Sequence, residues 1–262
     1  MELGLKDKGV LVMASSRGIG RGVATELARE GARVMLFSRS EEKLAEAAAA
    51  VAEATGNRPL FTVGDIANAS DVGAAVEATA VECGGLWALF NNTGGPPPGT
   101  FEQFDDAAWQ SAFELTMLGY VRAIRAAIPR MKAGGGGRIV NNTSVSTKQA
   151  IDGLVLSNVF RAGLVGLGKS LARELGPEGI LVNTVGPGRI DTERIEQLDT
   201  VWAEKGGISY EDQRAASQAA IPLGRYGEPA DFGRIVTFLC SEANAYLSGQ
   251  NILIDGGATE AY

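Results

Sequence analysis

Gly9-Val10-Leu11-Val12-Met13-Ala14-Ser15-Ser16-Arg17-Gly18-Ile19-Gly20 begins as an unbroken apolar run and ends in a turn of small residues. A continuous rather than alternating run predicts a strand over 10–14 that is buried on both faces. The turn from Ala14 to Gly20 joins this strand to a first helical pattern. The missing side chains at Gly18 and Gly20 let backbone N–H groups approach a pyrophosphate at the helix N-terminus. Taken alone, the turn reads equally well as an ordinary tight βα connection.

Outward from this stretch the same rhythm repeats to the end of the chain. Apolar runs at 33–37, 60–63, 86–90, 138–143, 180–185 and 251–254 predict further strands. Helical patterns lie between them at 18–30, 41–54, 70–83, 105–132, 155–175 and 229–241. Such alternation predicts right-handed βαβ crossovers and an α/β fold, a single-domain Rossmann-like doubly wound parallel sheet of about seven strands with helices on both faces. One domain is expected over 1–262. Residues 191–222 interrupt the rhythm as an insertion with helical pattern, broken at Gly206-Gly207, and read as a substrate lid or as packing against a neighbour. Gly94-Gly95-Pro96-Pro97-Pro98-Gly99 predicts a stiff turn directly after a strand.

Composition excludes several classes. The chain has 262 residues, enough to bury one large core without disulfide or metal. Its net charge of −7 gives no basic field for nucleic acid or an anionic membrane. Cys83 and Cys240 do not form a C-x-x-C pair, so neither a disulfide framework nor a zinc site is expected, and no metal is assigned. Histidine is absent, which removes the commonest general base. The apolar run from Gly9 to Ala14 is too short for a signal peptide, and no segment reaches the roughly 18 apolar residues of a membrane span. A cytoplasmic protein is expected.

Together, several motifs make the chain resemble the short-chain dehydrogenase/reductase family over nearly its whole length, with the closest likeness to the 3-oxoacyl-(acyl-carrier-protein) reductase-like group. Its phosphate loop is similar to the family's T-G-x-x-x-G-x-G, with Met13 and Ala14 in the first two places, and Ser16, Arg17, Gly18, Ile19 and Gly20 after them. Asp65-Ile66 stands where the family holds the adenine ring. Asn91-Asn92-Thr93-Gly94 resembles its N-N-A-G, placing Asn92 and Gly94 beside the cofactor. Pro187-Gly188, Ile190 and Thr192 resemble its P-G-x-I-x-T on the nicotinamide side. Gly249-Gln250 and Asp255-Gly256-Gly257 resemble its last strand. The resemblance also implies a homo-oligomer, a tetramer formed through the long helices and the C-terminal strand region.

The second strand runs into Phe37-Ser38-Arg39-Ser40, with no carboxylate to bond a ribose 2′-hydroxyl. Arg39 and Arg17 are placed to clamp a 2′-phosphate, with Ser38 beside them, so NADP(H) is the expected cofactor. Solvated surface charges are the alternative reading of both arginines.

At the catalytic positions the family uses Asn, Ser, Tyr and Lys. Ser144 matches the serine. Thirteen positions later, where the tyrosine is expected, stands Ser157, and four further stands Arg161 in place of lysine. Thr116 occupies the asparagine position. A serine has no acidity comparable to a tyrosine's, and an arginine stays protonated, so neither relays a proton. Arg161 can still bond the nicotinamide ribose and favour an oxyanion. Lys148 is the nearest candidate acid, base or nucleophile, and a solvated loop lysine is its plain alternative. Tyr120, one turn beyond Thr116, is a second candidate or a packed core residue; Asp152 reads as a turn residue or helix start. Pro96–Pro98, Val155, Leu156 and the Trp202 segment are expected to make an apolar pocket for a small carbonyl or alcohol substrate. Three functions remain open: an NADP(H)-dependent oxidoreductase with an atypical proton donor, non-redox lyase or isomerase chemistry at Lys148, and a catalytically idle NADP(H)-binding regulatory protein.

Overall fold

The computed structural model describes residues 2–261. Strands β1 (Gly9–Met13), β2 (Arg33–Ser38), β3 (Leu60–Val63), β4 (Ala88–Asn91), β5 (Gly137–Asn142), β6 (Ile180–Pro187) and β7 (Asn251–Ile254) form one sheet in the order β3-β2-β1-β4-β5-β6-β7. Every neighbouring pair runs parallel. Helices α1 (Gly18–Arg29), α2 (Glu41–Thr55), α3 (Ala69–Glu82), α4 (Asp106–Phe113), α5 (Gly119–Ala133), α6 (Val155–Leu175), α7 (Glu193–Gly206), α8 (Tyr210–Ala219) and α9 (Pro229–Cys240) occupy the connections.

The continuous apolar strands have the two-sided burial that their sequence demands. Val10, Val12, Leu36 and Phe90 face α1, α2 and α9, where Leu27, Leu44 and Phe232 close the layer. Leu11, Met13, Leu89 and Ile139 face the other way, against Val76 of α3, Ile124 of α5 and Leu164 of α6. Strand order reverses between β1 and β4. Their carboxyl ends diverge there, leaving the crevice in which open α/β sheets hold ligands.

Two local departures from the sequence expectation bear on function. The predicted helix over 105–132 is interrupted by a π-helical turn at Glu114–Leu118, which joins α4 to α5 and carries Thr116. Such turns carry an extra residue per hydrogen-bonded loop and recur at functional sites. The insertion is a pair of helices, α7 and α8, separated where Gly207 takes a positive φ of 63°.

Residue 14 does not continue the first strand. β1 ends at Met13, and Ala14 turns into the left-handed region with φ of 46°. The chain must double back beneath α1 here, since a Cβ on Gly20 would stand 2.3 Å from the Ala14 carbonyl oxygen. The left-handed conformation costs an L-residue about 1–2 kcal/mol. Glycine would relieve it but cost roughly 0.5–1 kcal/mol in chain entropy. Ala14→Gly should therefore stabilise the fold by about 0.5–1 kcal/mol, a rise of about 1–4 °C in Tm by calorimetry; an unchanged or lower Tm would contradict the strain.

Candidate active site

Above the carboxyl ends of the strands lies a cavity of about 1010 Å³, running from the turn after β1 to the loop after β5 and roofed by α7. This lies at the upper end of the range for ligand pockets. At one end lie Ala14, Ser16, Arg17, Gly18 and Ile19 of the first turn. Gly20 is buried beneath them and does not reach the surface. No side chain caps the N-terminus of α1, and its first turn holds no acid. By contrast Ser40, Asn68, Asp105 and Ser209 cap α2, α3, α4 and α8. The free N–H groups and positive dipole end of α1 are thus left for an anion.

Ser38, Arg39, Asp65 and Ile66 continue the wall beyond the phosphate turn. Ser16 and Ser38 join their hydroxyls at 3.1 Å. Neither Arg17 nor Arg39 forms an ion pair among the described residues. Lys43, on the first turn of α2, adds a third cation that the sequence reading did not include. Its spacing from Arg39, one helical turn, was the available signal.

A chain of hydrogen bonds links this end to the other. The Asn92 amide donates to the Ala14 carbonyl at 3.3 Å, and the Asn142 amide donates to Asn92 Oδ1 at 2.8 Å. Gly94 lines the cavity, with nothing within 4 Å of where a Cβ would stand, so its missing side chain is cavity space. Pro187, Gly188, Ile190 and Thr192 follow β6 along the same wall.

At the far end Ser144, Ser157 and Arg161 line the cavity. Ser144 caps a short 3-10 turn by accepting from the Ser146 N–H at 3.0 Å. Arg161 is only 5% exposed, and its Nη1 donates to the Asn142 carbonyl at 2.7 Å and contacts the Tyr120 hydroxyl at 3.5 Å. Tyr120 is fully buried and donates to the same carbonyl at 3.0 Å. Burial pushes its phenol above the usual value, although Arg161 pulls the other way. It lies outside the cavity wall, so of the two readings the packed one fits: Tyr120 holds Arg161.

Besides Gly20, two expected catalytic residues do not reach the wall. Thr116 is fully buried in the π turn with no partner for its hydroxyl, and its neighbour Leu115 lines the cavity instead. Lys148 is exposed and absent from the lining, whereas the adjacent Gln149 is part of it. The apolar pocket also differs from expectation. Val155, Leu156 and the three prolines do not line it, because α6 starts at Val155 and its first turn drives Leu156 into the core. Ile151, Leu154, Ile195, Leu198 and Trp202 supply the apolar wall.

The roof is held by a network that the sequence did not reveal. Arg189 pairs with Asp199, which is fully buried and also accepts from the Tyr226 hydroxyl at 2.7 Å. The Arg189 guanidinium stacks 4.7 Å from the Trp202 ring. Buried charge tolerates this site only because it is paired and hydrogen-bonded. Arg194, the second residue of α7, crosses to the proline turn and donates to the Pro96 carbonyl at 3.1 Å.

The enoyl-(acyl carrier protein) reductase family matches residues 13–259. The chain is similar to the 3-oxoacyl-(acyl-carrier-protein) reductase FabG of Aquifex aeolicus, with 32% identity over 257 residues, 98% of this chain and 99% of that protein. It is also similar to the probable galactose dehydrogenase GalD of Rhizobium meliloti, with 30% identity over 253 residues, 97% and 95% of the two chains. Among solved structures, the L-sorbose reductase of Gluconobacter frateurii, complexed with NADPH and L-sorbose, matches at a TM-score of 0.94 and 32% identity over 100% of both chains. No helix among the described residues is long and apolar enough to cross a membrane.

Proposed function

The chain belongs to the short-chain dehydrogenase/reductase family as one of its oxidoreductases, and from that premise we propose that it uses NADP(H) to interconvert a carbonyl and an alcohol without a tyrosine acid. The observation that carries this reading is the single cavity joining an uncapped α1 N-terminus to Ser144, Ser157 and Arg161. One end suits a dinucleotide phosphate and the other suits a polarised carbonyl.

In this reading Ser16, Gly18 and Ile19 border the diphosphate, with Gly20 packed beneath them. Arg17, Ser38 and Arg39 take the 2′-phosphate, and Asp65 and Ile66 border the adenine. Asn92, Gly94, Pro187, Gly188, Ile190 and Thr192 line the nicotinamide half, and Arg161 serves its ribose. The cofactor, when bound, supplies or accepts the hydride. The hydroxyls of Ser144 and Ser157 donate hydrogen bonds to the substrate oxygen, and the permanent Arg161 charge favours negative charge developing there. No tyrosine, histidine or cysteine lines the cavity, and its one lysine, Lys43, lies at the adenosine end. In this reading the proton comes from water; the carboxyl groups that also line the cavity, Asp65, Asp152, Glu193 and Asp255, are not assigned to it. Thr116 is assigned to the shape of the helix rather than to contact with substrate.

Two exposed apolar faces support the proposed homotetramer. Phe101 and Val159 are exposed beside the Trp109, Phe113 and Phe160 cluster on α4 and α6. Leu223 and Ile235 are exposed beside β7. Sedimentation velocity should give a species of four chains, and a purely monomeric boundary would overturn the assembly.

The function is tested with NADPH deuterated at the transferable C4 position and a broad metabolite extract, read by mass spectrometry. A product that gains deuterium only with the protein present is expected. Lys148→Met should retain that transfer; its abolition, with NADPH binding intact, would return the proton to Lys148. Turnover without label would indicate non-redox chemistry. Arg39→Asp should weaken NADPH binding by at least roughly tenfold relative to NADH, the scale of a lost charge-assisted contact. An unchanged ratio would remove NADP(H) preference from this site.

A further inference from the structure

We infer that Arg161 and Arg194 together receive an acid group of the substrate, so that the carbonyl compound handled here is a small oxo acid. This deepens the reductase reading above and rests on it. Other arginines of the roof region are matched with acids: Arg189 with Asp199, Arg214 with Asp191, Arg225 with Asp231. Arg161 and Arg194 line the same cavity and neither forms an ion pair among the described residues. Their surroundings are dry enough to make that costly. Arg161 is 5% exposed, and burial, then the charge of Arg161 itself, holds Arg194 below the ordinary guanidinium value. Two like charges on one cavity wall, partly desolvated and without an ion pair among the described residues, are stabilised by an anion that enters between them.

Their remaining donors are available for one. The hydrogen bonds of Arg161 all run through Nη1, leaving Nη2 and Nε without a protein acceptor. Arg194 uses Nη2 on the Pro96 carbonyl and lies against Gly95, where a Cβ would stand 3.1 Å from Nη2. That leaves its Nε and Nη1 unused. A carboxylate with two oxygens matches such donors better than a hydroxyl or a neutral amide does. Ser144 and Ser157 line the same end, so an oxo group beside that carboxylate would meet their hydroxyls. The cofactor's anions have their own partners elsewhere: the open N-terminus of α1 and the Arg17, Arg39 and Lys43 cluster.

The test compares the wild type with Arg194→Leu and Arg194→Lys. NADPH affinity is measured first by fluorescence. Malonate, succinate, malonamide and succinamide are then titrated calorimetrically into the NADPH-loaded protein. At least one carboxylate should bind roughly tenfold tighter than its amide, and Arg194→Leu should lose about tenfold in carboxylate affinity with NADPH affinity unchanged within about twofold. Arg194→Lys should fall between. Equal binding of amides, no carboxylate binding, or unaltered carboxylate affinity in Arg194→Leu would overturn the inference. A parallel loss of NADPH affinity would also overturn it, by assigning Arg194 to the cofactor's diphosphate. If the wild type fails to bind NADPH, the reductase reading falls separately. The same titrations of the protein alone then decide the arginine pair by the same ratios.

Discussion

A relay of buried amides across three strands fixes the geometry on which the site depends. In register, Asn91 of β4 faces Asn141 of β5, so Asn92 and Asn142 emerge side by side just beyond the ladder. Asn92 then reaches back to the Ala14 carbonyl, Asn142 reaches to Asn92, and the Asn142 carbonyl receives both Arg161 and Tyr120. The phosphate turn and the guanidinium are thereby set about two strand spacings apart, roughly 10 Å, by sheet geometry rather than by loops. Each amide is buried, so a broken link leaves an unsatisfied polar group at the sheet centre. The strain at Ala14 is the local cost of bringing its carbonyl into that relay.

Arg161 differs from a lysine in more than size. A lysine ammonium can lose its proton and pass it along, whereas a guanidinium cannot. It also needs in-plane partners, which Asn142 and Tyr120 supply on one side. An arginine at this position offers no proton relay and supplies a fixed positive charge. Chemistry at Ser144 and Ser157 must then rely on electrostatic stabilisation of the substrate oxygen more than on general acid catalysis.

Strands and helices were legible because their signals are local: unbroken apolar runs for β1 to β6, and periodic patterns whose ends fell within a residue or two of α1, α2, α3, α6 and α9. The wall from Ser16 to Thr192 was legible because its motifs sit at strand ends, which the fold brings together whatever the side chains do. Lys148, Thr116 and Leu156 misled because spacing fixes where a residue lies along the chain but not which way a loop or a π turn aims it. The Arg189–Asp199–Tyr226 network and the Arg194–Pro96 contact join positions far apart in sequence, and no periodicity announces such pairs.

The distribution of charge then connects the missing acid to the roof. The chain carries a net charge of −7, yet Arg17, Arg39, Arg161 and Arg194 line its cavity without an ion pair among the described residues, two at each end. At the adenosine end they surround a place suited to a phosphate. At the other end they share the wall with Ser144 and Ser157. A carboxylate neutralised by two guanidiniums withdraws electron density from an adjacent carbonyl, making it a better hydride acceptor than an isolated ketone. Substrate recognition by Arg161 and Arg194 would thus lower the demand for a proton donor at the position Ser157 occupies. A serine at 157 and a second arginine at 194 are then two parts of one chemical arrangement.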